Sequence, residues 1–150
     1  MSGSPEARLQ AALTREIPLS RAIGITVASW DGRTVRLAAP LAPNVNHQDT
    51  AFGGSLSAAA TLAGWSALWL LLDAHGMQHQ VVIQDASIEY LHPVTADFTV
   101  ECTLPEASTI ERFLTTLRER DRARLGLSAT VGDAGRELVR FQGRYVALRP

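Results

Sequence analysis

The feature that most constrains this chain is a run of 23 residues, Thr50–Leu72, without a charged side chain or a histidine. A run of this length could cross a bilayer as a helix. Its first two-thirds, however, consists largely of Gly, Ser, Ala and Thr, which insert weakly into membranes, and no arginine cluster flanks it. We therefore expect a buried helix from Gly53 to about Ala74 and no membrane span. Its heavier second half, with Trp65 and Trp69, is expected to pack as core.

The composition is that of a single soluble domain, and we place no boundary within residues 1–150. Hydrophobic residues make up 46% of the chain and charged residues 19%. The 14 basic residues are all arginine and nearly balance the 15 acidic ones, so nucleic-acid binding has no electrostatic basis. The only cysteine, Cys102, excludes an intrachain disulfide and is expected to be an inert core residue. The first residues lack the pattern of a signal peptide, and we expect a cytoplasmic protein.

Hydrophobic residues on either side of the uncharged run follow two periods. A helical period predicts two shorter helices, over residues 5–15 and after Pro105. Strict alternation predicts six strands, within residues 23–27, 35–37, 82–90, 98–104, 123–131 and 139–147. The order α-β-β-α-β-β-α-β-β predicts an α+β fold in which the long helix covers one face of an antiparallel sheet.

A polar loop leads into the uncharged helix. The paired glycines Gly53 and Gly54 leave backbone N–H groups unobstructed at a helix N-terminus, where the helix dipole favours negative charge. A carbonyl oxygen that develops charge during acyl transfer needs such an environment. The loop also offers a polar donor, a titratable base and a carboxylate, which are Asn46, His47 and Asp49. The alternative interpretation is a helix cap and a turn without chemistry.

The loop and helix start also resemble a known family. Residues 44–55 read Asn-x-Asn-His-x-x-Thr-x-Phe-Gly-Gly-Ser and run into Ala-Thr-Leu-Ala-Gly-Trp at residues 60–65. This sequence resembles the thioesterase domain at the C-terminus of YiiD acetyltransferases, which belongs to the hotdog-fold thioesterase superfamily. Residues 90–94 and 141–148 are also similar to that family, so the resemblance covers roughly residues 17–148.

The resemblance implies an antiparallel sheet wrapped around a long central helix. It also implies two subunits that pair edge to edge, as a homodimer or within a tetramer, with acyl-thioester sites at the subunit interface. The substrate would be an acyl-CoA or an acyl-carrier-protein thioester. The implied reaction needs no metal and no cofactor apart from the coenzyme A of the substrate.

The resemblance also implies roles for individual residues. In related enzymes a His-Gly-Gly motif opens the helix and a glycine amide polarises the thioester carbonyl; here Phe52, Gly53, Gly54 and Ser55 stand at that place. Asn46 has the spacing of an asparagine that positions water or thioester. Thr61 stands where those enzymes place an Asp or Glu as base or nucleophile.

Because Thr61 replaces this acidic residue, two functions remain open. A threonine hydroxyl is a poor base at neutral pH, but it can orient a water that His47 or Asp49 deprotonates, which predicts a thioesterase. Without that chemistry the chain would be a non-catalytic acyl-thioester-binding or dimerisation module. The spacing from His47 to Thr61 also matches acyl-carrier dehydratases, but the missing acid at Thr61 makes dehydration a third choice.

Two further patterns involve histidines and arginines. His75 and His79 have a metal-like spacing, but Gly76 between them predicts a helix end and a solvated loop. Arginines alternate at residues 118, 120, 122 and 124. On one strand they would share a face, which could meet the phosphates of coenzyme A or be simply exposed.

Overall fold

The computed structural model describes residues 3–150, so Met1 and Ser2 of the predicted single domain lie outside the described residues. The helices are α1 (Pro5–Glu16), α2 (Leu19–Ile23), α3 (Gly53–Ala74) and α4 (Ala107–Arg120). The strands are β1 (Thr26–Trp30), β2 (Thr34–Ala39), β3 (Gln80–Tyr90), β4 (Phe98–Thr103), β5 (Arg122–Asp133) and β6 (Arg136–Leu148). A short 3-10 turn covers Ala42–Asn44.

The strands form one antiparallel sheet in the order β1-β2-β4-β5-β6-β3, and the sheet curves around α3. The helix contacts every strand from β2 to β6, and 12 of its 22 residues are buried. The predicted α+β hotdog architecture is therefore confirmed. Within residues 3–150, α3 is the one helix with the length and composition of a membrane span, and most of it is buried inside the protein, as expected of a core helix.

A tyrosine from β6 fixes α3 against the sheet. Tyr145 is fully buried, and its hydroxyl donates a hydrogen bond of 2.7 Å to the carbonyl of Thr61. The ring lies directly over Gly64, where a Cβ would be only 2.2 Å from the tyrosine oxygen. The absence of a side chain at Gly64 therefore determines how closely helix and sheet approach.

Strands β4, β5 and β6 follow the predicted alternation. The inward residues of β4 and β5 are buried without exception: Phe98, Val100, Cys102, Ala123, Leu125, Leu127, Ala129 and Val131. Cys102 is fully buried, and burial raises the pKa of its thiol to about 12. The prediction of an inert core cysteine is confirmed, because only the thiolate is reactive.

Two sequence-based predictions of local structure were wrong. Ile23 belongs to α2 rather than to a strand, because Gly24 adopts a left-handed conformation (φ 83°) that ends the helix before β1 begins. The alternating arginines are all exposed and do not share one strand, since Arg118 and Arg120 lie in α4 while Arg122 and Arg124 lie in β5. Asp121, with φ 55°, makes the turn between these two elements.

The second error concerns β3. Its register against β6 shifts between Ile83 and Asp85, so Gln84 is an extra residue on that strand. The bulge reverses which residues face inward, because side chains alternate strictly along a strand. Val82 therefore lies on the opposite face from Ala86, rather than on the same face as predicted.

Strand β3 also forms an uncovered edge of the sheet. It pairs with β6 on one side only, and three of its large hydrophobic residues are 37–52% exposed: Val82, Ile83 and Tyr90. An edge of this length with exposed apolar side chains is a template for pairing with another strand.

We expect Gly64→Ala to destabilise the protein by about 1–3 kcal/mol, because the added methyl group would collide with the buried Tyr145. Thermal unfolding measures the change. Gly126→Ala is the matched control, since nothing lies within 4 Å of a Cβ built at Gly126. Equal melting temperatures for Gly64→Ala and the unmodified protein would show that the contact between the Tyr145 ring and Gly64 is not tightly packed.

Candidate active site

The polar loop before α3 is anchored at both of its ends. Val45 and Ala51 form an isolated antiparallel bridge. The amide of Phe52 donates to the carbonyl of Asn44 over 2.7 Å, and the amide of Ala51 donates to the carbonyl of Val94 over 2.8 Å. The loop is consequently held against the segment that follows β3.

Asn46 shapes this loop from within. Its Nδ2 donates to Thr50 Oγ1 over 2.8 Å, and its Oδ1 accepts from the amides of Gln48 and Thr50 at 2.8 and 3.2 Å. These bonds occupy most of the amide side chain. Asn46 is therefore positioned to fix the loop conformation, including the left-handed residue Asp49 (φ 62°).

His47 and Asp49 project from the loop. Both are exposed, and neither side chain makes a hydrogen bond to another residue in the described range. The predicted base and carboxylate are thus presented to solvent or to a second molecule. Nothing in the described part of the chain orients them.

The first turn of α3 has free backbone donors. Phe52 is the N-cap and supplies no side-chain hydrogen bond. The amides of Ser55 and Leu56 both donate to the Phe52 carbonyl, at 3.0 and 3.1 Å. The amides of Gly53 and Gly54 have no acceptor among residues 3–150. They form a cluster of donors at the positive end of a 22-residue helix, which suits an anionic oxygen.

Two aromatic rings lie close to the two glycines. A Cβ at Gly54 would be 2.4 Å from the ring of Phe52, which folds back over the helix start and remains 55% exposed. A Cβ at Gly53 would be 3.3 Å from the ring of Tyr90. The Tyr90 hydroxyl donates to the Gly53 carbonyl over 3.0 Å, which ties the end of β3 to the start of α3.

Thr61 lies two turns further along α3, about 12 Å from Gly53 along the helix axis at 1.5 Å per residue. Its hydroxyl donates to the carbonyl of Ser57 over 2.9 Å. The oxygen lone pairs therefore remain available to accept a hydrogen bond. Tyr145 supports the same turn, and burial raises the pKa of its phenol, so it remains a donor to the Thr61 carbonyl at neutral pH.

A groove of about 580 Å³ runs between α3 and β3. Thr61, Trp65 and Trp69 line it from the helix at intervals of four residues, and Val81, Val82 and Ile83 line it from the strand. The indole nitrogen of Trp65 donates to the Val81 carbonyl over 3.2 Å. The second half of α3 packs as core, as predicted, but its two tryptophans are only partly buried: they pack against the core residues and also line the open groove.

One end of this groove contains polar groups that sequence reasoning missed. Glu16 and His79 line it near Trp69. His79 lies in a loop after the end of α3, as predicted, but it is not solvated: its side chain is 12% exposed, with Nε2 lying 3.3 Å from Asp121 Oδ1. Hydrogen bonds from Arg149 and then from His79 lower the pKa of the Asp121 carboxyl.

The structure therefore groups the predicted residues in two places. The loop residues and the glycine amides lie together at the start of α3, while Thr61 lies in the groove further along the helix. In the part of the chain that the structure describes, no group of three or more His, Cys, Asp or Glu residues could hold a metal ion.

The fold and the open helix start define a hotdog protein of the thioesterase type. The family described as "Putative thioesterase (yiiD_Cterm)" matches residues 6–149, and the chain belongs to this family.

Solved structures agree with this assignment. A protein of unknown function from Chlorobaculum tepidum TLS is 28% identical, with a TM-score of 0.92 over 97% of this chain and 94% of that one. A protein from Shewanella oneidensis described as a "putative thioesterase" is 30% identical, with a TM-score of 0.84 over 96% and 97% of the two chains. A "probable thioesterase" from Pseudomonas aeruginosa has the same fold at 22% identity, with a TM-score of 0.81 over 97% and 96%.

Proposed function

We propose that this protein hydrolyses acyl thioesters of coenzyme A or acyl carrier protein, at a site shared between two subunits of a homodimer. The observation that carries the proposal is the pair of free amides at Gly53 and Gly54. They lie at the positive end of a buried helix and have no side-chain cap competing for them. Preorganised amides of this kind stabilise the oxyanion formed when water attacks a thioester carbonyl.

The remaining groups supply the water and its proton transfers. Thr61 accepts a hydrogen bond from the attacking water through its free lone pairs. His47 takes the water's proton as oxygen bonds to the carbonyl carbon, with Asp49 available as the second base. The C–S bond then breaks, and the imidazolium returns the proton to the thiolate. The products are a carboxylic acid and a free thiol.

The distance between Gly53 and Thr61 is the reason for proposing a shared site. Two groups about 12 Å apart along one helix cannot both contact the same carbonyl and its attacking water. Strand β3 runs antiparallel to α3, with Tyr90 beside Gly53 and Val81 beside Trp65. A two-fold axis through β3 would therefore bring the helix start of one subunit alongside the groove of the other.

The exposed edge of β3 supports this pairing. Joining two such edges would cover Val82 and Ile83 and extend the sheet across both subunits. The apolar groove beside Thr61 would then hold the acyl chain, since its volume lies within the range of small-molecule sites.

One observation favours a second function, which is thioester binding without hydrolysis. Glu16 is the one carboxylate among the described residues that line the groove, and it lies at the Trp69 end. No acid replaces the side chain missing at Thr61. The two functions differ in whether a bound acyl-CoA releases its thiol.

The test is thiol release from a panel of acyl-CoAs by the unmodified protein and by Gly53→Pro. Proline at the first helical position removes the amide donor but is compatible with a helix, and the extended conformation of Phe52 (ψ 133°) suits a residue before proline. We expect kcat/KM to fall on the order of a hundredfold, as for the loss of one oxyanion donor.

Gly53→Ala is the matched control, because it adds the same contact with Tyr90 and keeps the amide. We expect it to retain most of the activity. Equal activity in the proline and alanine variants would contradict the role of the Gly53 amide. Tight acyl-CoA binding without thiol release by the unmodified protein would establish the binding module instead.

The dimer is tested separately with two exposed apolar residues. Val82→Asp places a charge on the β3 edge and is expected to convert the dimer into a monomer, measured by light scattering after size exclusion. Leu19→Asp is the control, since Leu19 is 55% exposed against 49% for Val82 but lies in α2, outside both β3 and the loop before α3. A dimer that survives Val82→Asp would exclude the β3 edge as the interface.

A further inference from the structure

Trp69 stands between two separate grooves. The groove beside Thr61 and a second groove of about 310 Å³ are both lined by Trp69, together with Glu16, His79 and Gln80. The second groove continues past the end of α3, where Leu72 and Met77 contribute apolar wall. Trp69 is the one aromatic side chain common to both grooves, which points to its indole as the wall between them.

The position of Trp69 along the helix places it at the end of the first groove. Thr61, Trp65 and Trp69 share one face of α3, and Trp69 lies about 12 Å from Thr61 along the axis. Trp65 is pinned to β3 through its hydrogen bond to Val81, so it forms the side of the groove. The indole of Trp69 makes no hydrogen bond to a residue in the range 3–150, so packing against the core alone holds it in place.

A polar wall lies beside Trp69 in both grooves. His79 contacts Asp121, and Asp121 pairs in turn with Arg149. An acyl chain that reached this point would meet these polar groups and the indole of Trp69. Further methylene groups would then have to displace the indole or remain in water.

We propose that Trp69 sets the upper length of the acyl chain that the groove accepts. This inference rests on the proposed function, because it takes the groove beside Thr61 as the site of the acyl chain. Short and medium saturated chains end before Trp69. Longer chains are excluded because the indole closes the passage into the second groove.

The experiment compares kcat/KM across a series of saturated acyl-CoAs for the unmodified protein, Trp69→Ala and Trp69→Leu. Opening the passage is expected to raise the ratio of long-chain to short-chain kcat/KM at least tenfold, on the order of two additional buried methylene groups. Trp69→Leu keeps an apolar core-sized side chain, so it reports the same shift if the alanine variant is poorly folded. Trp30→Ala is the matched control, since Trp30 is half-buried in β1 and lines neither groove.

An unchanged chain-length profile in both Trp69 variants would overturn the inference and leave the hydrolase proposal intact. If the unmodified protein releases no thiol, the hydrolase proposal fails, and the inference is decided by binding. Dissociation constants for S-alkyl-CoA thioethers, which cannot be hydrolysed, should then show the same shift toward longer chains in the Trp69 variants and none in Trp30→Ala. Identical binding profiles would overturn it.

Discussion

The burial of one uncharged helix is the constraint on which the rest of this structure depends. α3 has no charged residue before Asp73, so water cannot solvate any of its faces well, and a single flat sheet would cover only one of them. The sheet therefore curves around the helix. Small residues allow the close approach: Ala59, Ala63 and Ala67 are fully buried, and Gly64 receives the Tyr145 ring. Where charge returns, Asp73 pairs with Arg8 of α1 at 2.6 Å and closes the end of the core.

The same arrangement leaves two features of the chain without partners among the described residues. At the start of α3, the backbone donors of the two glycines beside the rings of Phe52 and Tyr90 are free. Along β3, the sheet ends before it covers the tryptophan face of the helix. A second subunit placed against β3 would complete both at once, which is why the dimer and the chemistry are parts of a single proposal.

The sequence predicted the helices and strands that follow from the local periodicity of hydrophobic residues. The bounds of α3 match those expected from its loss of charge, and the alternation of β4 and β5 identified their buried residues. The glycine pair identified the helix start because glycines at that position leave the backbone N–H groups unobstructed.

The features that the sequence could not predict depend on pairing between residues that are distant in the chain. The bulge at Gln84, the contact of His79 with Asp121 and the groove along Trp65 arise only when β3 is set against its neighbours. A tryptophan in a core and one lining a groove have the same local pattern.

The central claim is that one active site takes its oxyanion donors from one subunit and Thr61 from the other. Subunit complementation between Gly53→Pro and Thr61→Val measures this most directly. In a mixed dimer, one site would carry both changes and the other neither. Random exchange of the two inactive variants should therefore restore about a quarter of the unmodified activity, because half of the dimers are mixed and half of their sites are intact. Activity that stays at the level of the separate variants, after subunit exchange has been verified, would contradict a shared site.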